Sequence, residues 1–118
     1  MAKILVQVVT GPENTTRAAL GFLIARTAAN EGHDVHLFLA GDAVHFARAE
    51  TADAATGVGT GSVAEHWAAL AEAGVPVSLS GMSSKARGVD ASTREGIELV
   101  PPPRLVELSV WADTVLVY

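Results

Sequence analysis

The richest concentration of reactive side chains is Ser80-Gly81-Met82-Ser83-Ser84-Lys85-Ala86-Arg87-Gly88, which leaves the apolar run Val75 to Leu79. Backbone N–H groups at the start of a short helix point outward. Such a helix opening here, with Ser83 and Ser84 as hydroxyl donors and Lys85 and Arg87 as cations, would hold an anion. The plainer reading, and the commoner arrangement, is that Ser83 caps a one-turn helix ended by Gly88 while Lys85 and Arg87 are solvated. A nucleophilic serine fits less well, because Gly81-Met82-Ser83-Ser84-Lys85 lacks the second glycine of a nucleophile elbow.

The four histidines do not spell a metal site. His33 and His36 are three apart at the start of a strand, which sends them to opposite faces. Asp42 and His45 share a face just after the second strand, but two ligands do not make a site. His66 lies on a separate helix. The expectation is therefore surface or capping histidines and no metal, with His45 kept as a pocket candidate. Gly57-Val58-Gly59-Thr60-Gly61-Ser62 resembles a phosphate loop only superficially, since no strand precedes it and no P-loop lysine follows. A flexible lid or an oligomer-contact loop is the expectation there. Trp67 and Trp111 read as core, and Glu13 and Asp42 as strand-end residues that cap helices, solvate turns or orient a ligand.

The elements that position these residues follow from periodicity. Lys3 to Val9 and Val35 to Ala40 are continuous aliphatic runs, as expected of strands covered on both faces in a parallel sheet. Between them Thr15 to Glu31 has helical spacing of Ala19, Leu20, Phe22, Leu23, Ile24, Thr27 and Ala28, with Asn14 or Thr15 to cap it and Gly32 to end it. Gly41-Asp42 closes the second strand and opens a short helix to about Arg48, and Ala49 to Gly61 reads as a mobile loop. Ser62-Val63-Ala64-Glu65 is a capping box for a helix whose buried stripe is Val63, Trp67 and Leu70. Val75 to Leu79 is a third strand, Asp90 to Gly96 a polar connection, and Ile97 to Val100 a brief fourth strand. Three prolines then lead a helix with Leu105, Leu108 and Trp111 on one face, and Thr114 to Tyr118 is the fifth strand.

This alternation predicts an α/β fold, a three-layer α/β/α sandwich with a central, mainly parallel five-stranded sheet. Ligands in such folds bind outside the carboxyl ends of the strands, which gathers Gly11, Asp42, His45, Ser80, Gly81, Ser83, Lys85 and Arg87 as the candidate ligand site.

The 118 residues, 49% of them hydrophobic, suit one domain spanning residues 1–118. A net charge of −5 with eight scattered Lys and Arg argues against nucleic acid. No apolar run reaches membrane-spanning length, and the start runs directly into a strand, so no membrane partner and a cytoplasmic location are expected. There is no cysteine, which removes disulfides, thiolate metal sites and persulfide chemistry together. No cofactor is implied.

Several segments in order carry a resemblance: Thr10-Gly11-Pro12-Glu13, Gly32-His33-Asp34-Val35, Phe38-Leu39-Ala40-Gly41-Asp42-Ala43-Val44, Ala73-Gly74-Val75-Pro76-Val77, Lys85-Ala86-Arg87-Gly88 and Ala112-Asp113-Thr114-Val115-Leu116-Val117. Together they resemble the DsrE/DsrF-like family of small sulfur-trafficking proteins. The resemblance implies an α/β sandwich assembling into trimers or hexamers. In sulfurtransferase members it also implies a cysteine just after the third strand that carries sulfur as a persulfide. The positions matching such cysteines are Ser80 and Ser83. A serine hydroxyl is un-ionised at neutral pH and holds no transferable sulfane sulfur, so the family chemistry does not carry over. The leading expectation is a homo-oligomer that binds a small anionic ligand or protein partner. The alternatives are a serine-based transferase or hydrolase at Ser80 to Gly88, and a structural assembly subunit. A binding module predicts an open cavity near Gly11, Asp42, Ser80 and Arg87, and a structural subunit predicts that space filled.

Overall fold

The computed structural model describes residues 1–118. Strand β1 (Lys3–Val8) leads through a 3-10 turn at Pro12–Asn14 into helix α1 (Thr15–Asn30), and β2 (Asp34–Leu39) follows. Then come a 3-10 helix at Gly41–Ala47, helix α2 (Ala49–Ala54), the small strands β3 (Thr56–Gly57) and β4 (Gly61–Ser62), and α3 (Val63–Glu72). Strand β5 (Val77–Ser80), helix α4 (Gly81–Ala86), strand β6 (Ile97–Val100), helix α5 (Pro102–Trp111) and strand β7 (Thr114–Val117) complete the chain.

The main sheet has the order β6-β5-β2-β1-β7, and every neighbouring pair is parallel. From β1 through β2 and β5 to β6 the chain advances one strand at a time in one direction. The step from β6 to β7 jumps back across the sheet to its other side. Right-handed crossovers require the helices of a reversed step to lie on the opposite face. The packing obeys this rule: Phe22 of α1 and Trp67 and Leu70 of α3 share a core with Val6, Val8, Leu37, Leu39 and Leu79, whereas Leu108 of α5 meets Leu5, Phe38 and Val100.

The two faces are unequal. The α1/α3 side holds a cluster of 22 buried residues and the α5 side one of only four, so most of the stabilising burial lies on the first side. Phe22 anchors it, edge-on to Phe46 at 5.9 Å and tilted against Trp67 at 5.6 Å.

The local signals largely hold. Asn14 accepts from the Arg17 N–H to cap α1, and Ser62 accepts from the Glu65 N–H to cap α3. Two expectations are corrected. Residues 49–61 form α2 and a hairpin, not a lid: the Thr60 hydroxyl donates to the Thr16 carbonyl and the Val58 N–H to the Thr16 hydroxyl, pinning the hairpin on α1. The third strand of the main sheet starts two residues later than its apolar run, because Pro76 has no N–H for the ladder.

Truncation of Phe22 to Ala is expected to lower the unfolding free energy in urea by about 3–5 kcal/mol, while Glu72→Ala at the exposed end of α3 changes it by less than about 0.5 kcal/mol.

Candidate functional site

The carboxyl ends of β1, β2 and β5 do converge. Gly11 follows β1, and a Cβ there would overlap the Asp42 carbonyl oxygen and lie 2.7 Å from the Asp42 Cβ. Only glycine lets these two loops touch. Gly41, directly after β2, turns with φ +54, a conformation that favours glycine, and this turn presents its N–H to the Ser83 Oγ at 2.9 Å. The third exit is tied in by Arg87, whose Nε donates to Asp42 Oδ1 at 3.0 Å and whose Nη1 donates to the Ser83 carbonyl at 3.1 Å.

Ser80, not Ser83, caps helix α4: its hydroxyl accepts from the Ser83 N–H at 3.2 Å. Asp42 likewise caps no helix, since the 3-10 segment after β2 has no side-chain cap and the carboxylate is committed to Arg87. His45 lies beside this pair, its Nε2 3.9 Å from Asp42 Oδ1. Arg48, which nothing in the sequence singled out, donates from Nη1 to His45 Nδ1 at 2.9 Å and from Nη2 to the Arg87 carbonyl at 2.6 Å. An arginine has no acceptor, so His45 Nδ1 is unprotonated and the neutral ring carries its hydrogen on Nε2, toward Asp42.

Five of the expected residues, Asp42, His45, Ser80, Ser83 and Arg87, thus form one hydrogen-bonded network with Gly41 and Arg48, and Gly11 packs against it at Asp42. Gly81 opens α4 with its Cα against the Val100 backbone, and Lys85 is exposed on the outer side of that helix. Both rim hydroxyls accept from backbone amides, and the nearby histidine is taken by Arg48. A Ser–His contact of the kind proton abstraction needs does not occur here. The adjacent Ser84 is fully buried and its Oγ has no partner.

The cavity of the molecule is elsewhere. A cleft of about 240 Å³ lies at the opposite, amino-terminal end of the sheet, between β2 and α5, lined by Asp34, Val35, His36, Pro76, Arg104, Leu108 and Trp111. The space expected to be open near Gly11, Asp42, Ser80 and Arg87 is occupied by the Asp42–Arg87 pair and its neighbours.

The histidines also differ from expectation, because two are buried. His36 is 7% exposed with Nε2 2.8 Å from the Ser78 hydroxyl, and its ring meets Trp111 edge-on at 6.4 Å. His66 donates from Nε2 to the Thr60 carbonyl at 2.7 Å and faces Arg26 through Nδ1 at 3.3 Å, bracing the hairpin. Trp67 is core as expected, whereas Trp111 is half-buried and forms a wall of the cleft. The His36–Ser78 contact was hidden from sequence reading because it depends on the β2–β5 register, which sets Phe38 beside Ser78. Ser78 is 1% exposed, so its hydroxyl fixes the ring and is sealed from any substrate.

A parallel α/β sheet whose exit loops form one polar network, without a thiol, defines the class. Over residues 2–118 the sequence matches the DsrE/DsrF-like family, and the chain belongs to that family. Among solved structures it is similar to the YchN protein from E. coli, with 24% identity, a TM-score of 0.80 and all of both chains covered. It is also similar to BT1422, a conserved protein of unknown function from Bacteroides thetaiotaomicron, with 17% identity, a TM-score of 0.72, 99% of this chain and 95% of that one. At these identities the likeness concerns the fold. No curated protein matches the chain. No helix is long and apolar enough to cross a membrane.

Two outcomes follow from this geometry. Ser83→Ala leaves the Gly41 N–H without its acceptor and is expected to cost about 1–2 kcal/mol in urea denaturation. Ser84→Ala removes an unsatisfied buried hydroxyl and should be neutral or stabilising by the same measurement.

Burial, aided by Arg104, holds the His36 pKa below its ordinary value of 6.5, against the opposing influence of Glu98 and Asp34. Between that ordinary value and the lowered folded one, the unfolded chain binds a proton that the folded chain refuses. Stability therefore falls as pH drops below 6.5 and levels off once the folded ring is protonated. Denaturation midpoints at neutral and mildly acid pH should show this loss in the wild type and a smaller one in His36→Gln.

Proposed function

We propose that this chain, as a single domain over residues 1–118, is a thiol-free DsrE/DsrF-like binding subunit. In this reading it assembles as a homo-trimer or homo-hexamer in the cytoplasm and engages a small anionic ligand or a protein partner at the strand-exit rim. The observation that carries the reading is the state of Ser80 and Ser83. The two residues matching the family's cysteines accept hydrogen bonds from the Ser83 and Gly41 amides. They hold the rim together where a thiolate would carry sulfur.

The rim is filled, which favours contact across its surface over engulfment of a ligand. Lys85 and Met82 are exposed on α4, and Arg87 and His45 are partly exposed beside them. These groups form the candidate contact set with Gly11, Asp42, Ser80, Gly81 and Ser83. Oligomerisation is supported by the thin α5 side, where Val106 and Val110 of α5 and Val115 and Val117 of the edge strand β7 are exposed. The same filled rim gives the structural assembly subunit its claim as a second reading.

Native mass spectrometry should return three or six times the 12.2 kDa chain mass. A thermal-shift screen with sulfate, phosphate and thiosulfate should find an anion that raises the melting temperature of the wild type but not of a Lys85→Gln/Arg87→Gln variant. A flat screen with an intact oligomer would favour the structural subunit. Covalent labelling of Ser80 or Ser83 by a fluorophosphonate would favour the serine enzyme.

A further inference from the structure

The cleft between β2 and α5 has the composition of a binding site in its own right. Its volume, about 240 Å³, has room for about eight waters at ~30 Å³ each, or one small ring with a short substituent. Pro76, Val35, Leu108 and Trp111 supply apolar walls, and Arg104 and His36 supply polar groups. Such a mixture, apolar walls beside a few placed polar groups, is what small-molecule sites use.

Each polar group has capacity to spare. Arg104 donates from Nη1 to Glu107 at 3.3 Å on the solvent side, and its side chain is 40% exposed, so Nε and Nη2 keep donors for a ligand. The imidazole of His36 is oriented by Ser78 through Nε2, which leaves Nδ1 as the nitrogen a ligand can engage. Asp34, exposed at the mouth, sets a limit on charge, because a second negative charge on a ligand would meet its carboxylate.

We infer that this cleft is a second site, distinct from the strand-exit rim, for a small monocarboxylate with a flat or branched apolar body. The carboxylate pairs with the Arg104 guanidinium, whose fork matches that group, and lies near His36 Nδ1, while the apolar body rests against Leu108 and Trp111. Dianions are excluded by Asp34. The site couples to protonation. Without a ligand, burial and the Arg104 cation hold the His36 pKa below its ordinary value of 6.5 against the pull of Glu98 and Asp34. A bound carboxylate adds negative charge to that of Asp34 and Glu98 and favours the imidazolium. Affinity therefore rises as pH falls, and binding raises the His36 pKa by linkage.

Benzoate is the probe. Titrated into the 15N-labelled full chain at pH 6.0 and pH 7.5, it should give saturable shifts of the Trp111 indole N–H and the His36 ring nitrogens, with tighter binding at the lower pH. Benzyl alcohol and phosphate at matched ionic strength should not do so. Arg104→Gln should weaken benzoate about tenfold or more, while Arg87→Gln at the rim should leave it unchanged within about twofold. Both variants replace partly exposed side chains, and their folding is checked by the same spectra. Shifts confined to exposed lysines, equal response to benzyl alcohol, or an Arg104→Gln variant that binds as well as wild type would each overturn the inference. A flat sulfate, phosphate and thiosulfate screen of the wild type with benzoate binding intact would leave this site standing and remove the rim reading.

Discussion

The fit of Gly11 against Asp42 is the constraint on which the rest of this structure depends. Three parallel strands deliver three loops to one end of a sheet, and loops at that spacing stay apart unless something small lets them touch. With hydrogen in place of a side chain at residue 11, the first loop lies on the second. Asp42 is thereby placed to accept from Arg87, and the Gly41 amide to reach Ser83. Two loops and a helix start become a single cross-linked surface. Arg48 extends it by spanning His45 and the Arg87 carbonyl, so that even the conformation of the last turn before Gly88 is recorded in the network.

The same network gives the hydroxyls of Ser80 and Ser83 a structural role. A thiolate at residue 80 or 83 would be a nucleophile with low demand for hydrogen bonds. A hydroxyl at neutral pH is the reverse: a poor nucleophile and a good acceptor. The oxygen consequently takes the role available to it at a strand-to-helix junction, satisfying backbone amides that the first turn of a helix leaves without partners. The open space of the molecule then lies at the other end of the sheet. There the single helix α5 covers a face that spans five strands, and His36 sits beneath the Arg104 and Trp111 that it carries.

Much of the fold was legible in the sequence because its signals are local. The largely apolar runs 3–9 and 35–40, the caps Asn14 and Ser62 and the proline start of α5 each act through near neighbours. The convergence of Gly11, Asp42, Ser80, Ser83 and Arg87 was also legible, because a parallel α/β sheet forces strand exits together whatever the sequence of the loops. What stayed hidden depends on long-range register or packing. Ser78 meets His36 only after β2 and β5 align. Arg48 reads as any surface arginine until its two acceptors are placed by folding. Arg94, within the polar stretch before β6, lies over the Trp67 ring at 4.2 Å and donates to the Ala47 carbonyl, a contact that spacing along the chain does not encode. The alanine-rich stretch 49–61 misled for a related reason. Its order is imposed by Thr16 on α1, not by its own composition.

Amide hydrogen exchange of the Gly41 and Ser83 N–H groups reads the central claim most directly, since each has a serine hydroxyl as its acceptor. Protection comparable to that of the amides in β2 and β5 is the result required by a rim whose hydroxyls are structural. Exchange of both amides as fast as that of the exposed glycines Gly59 and Gly96 would mean that the hydroxyls are free, and the account of this site would fail.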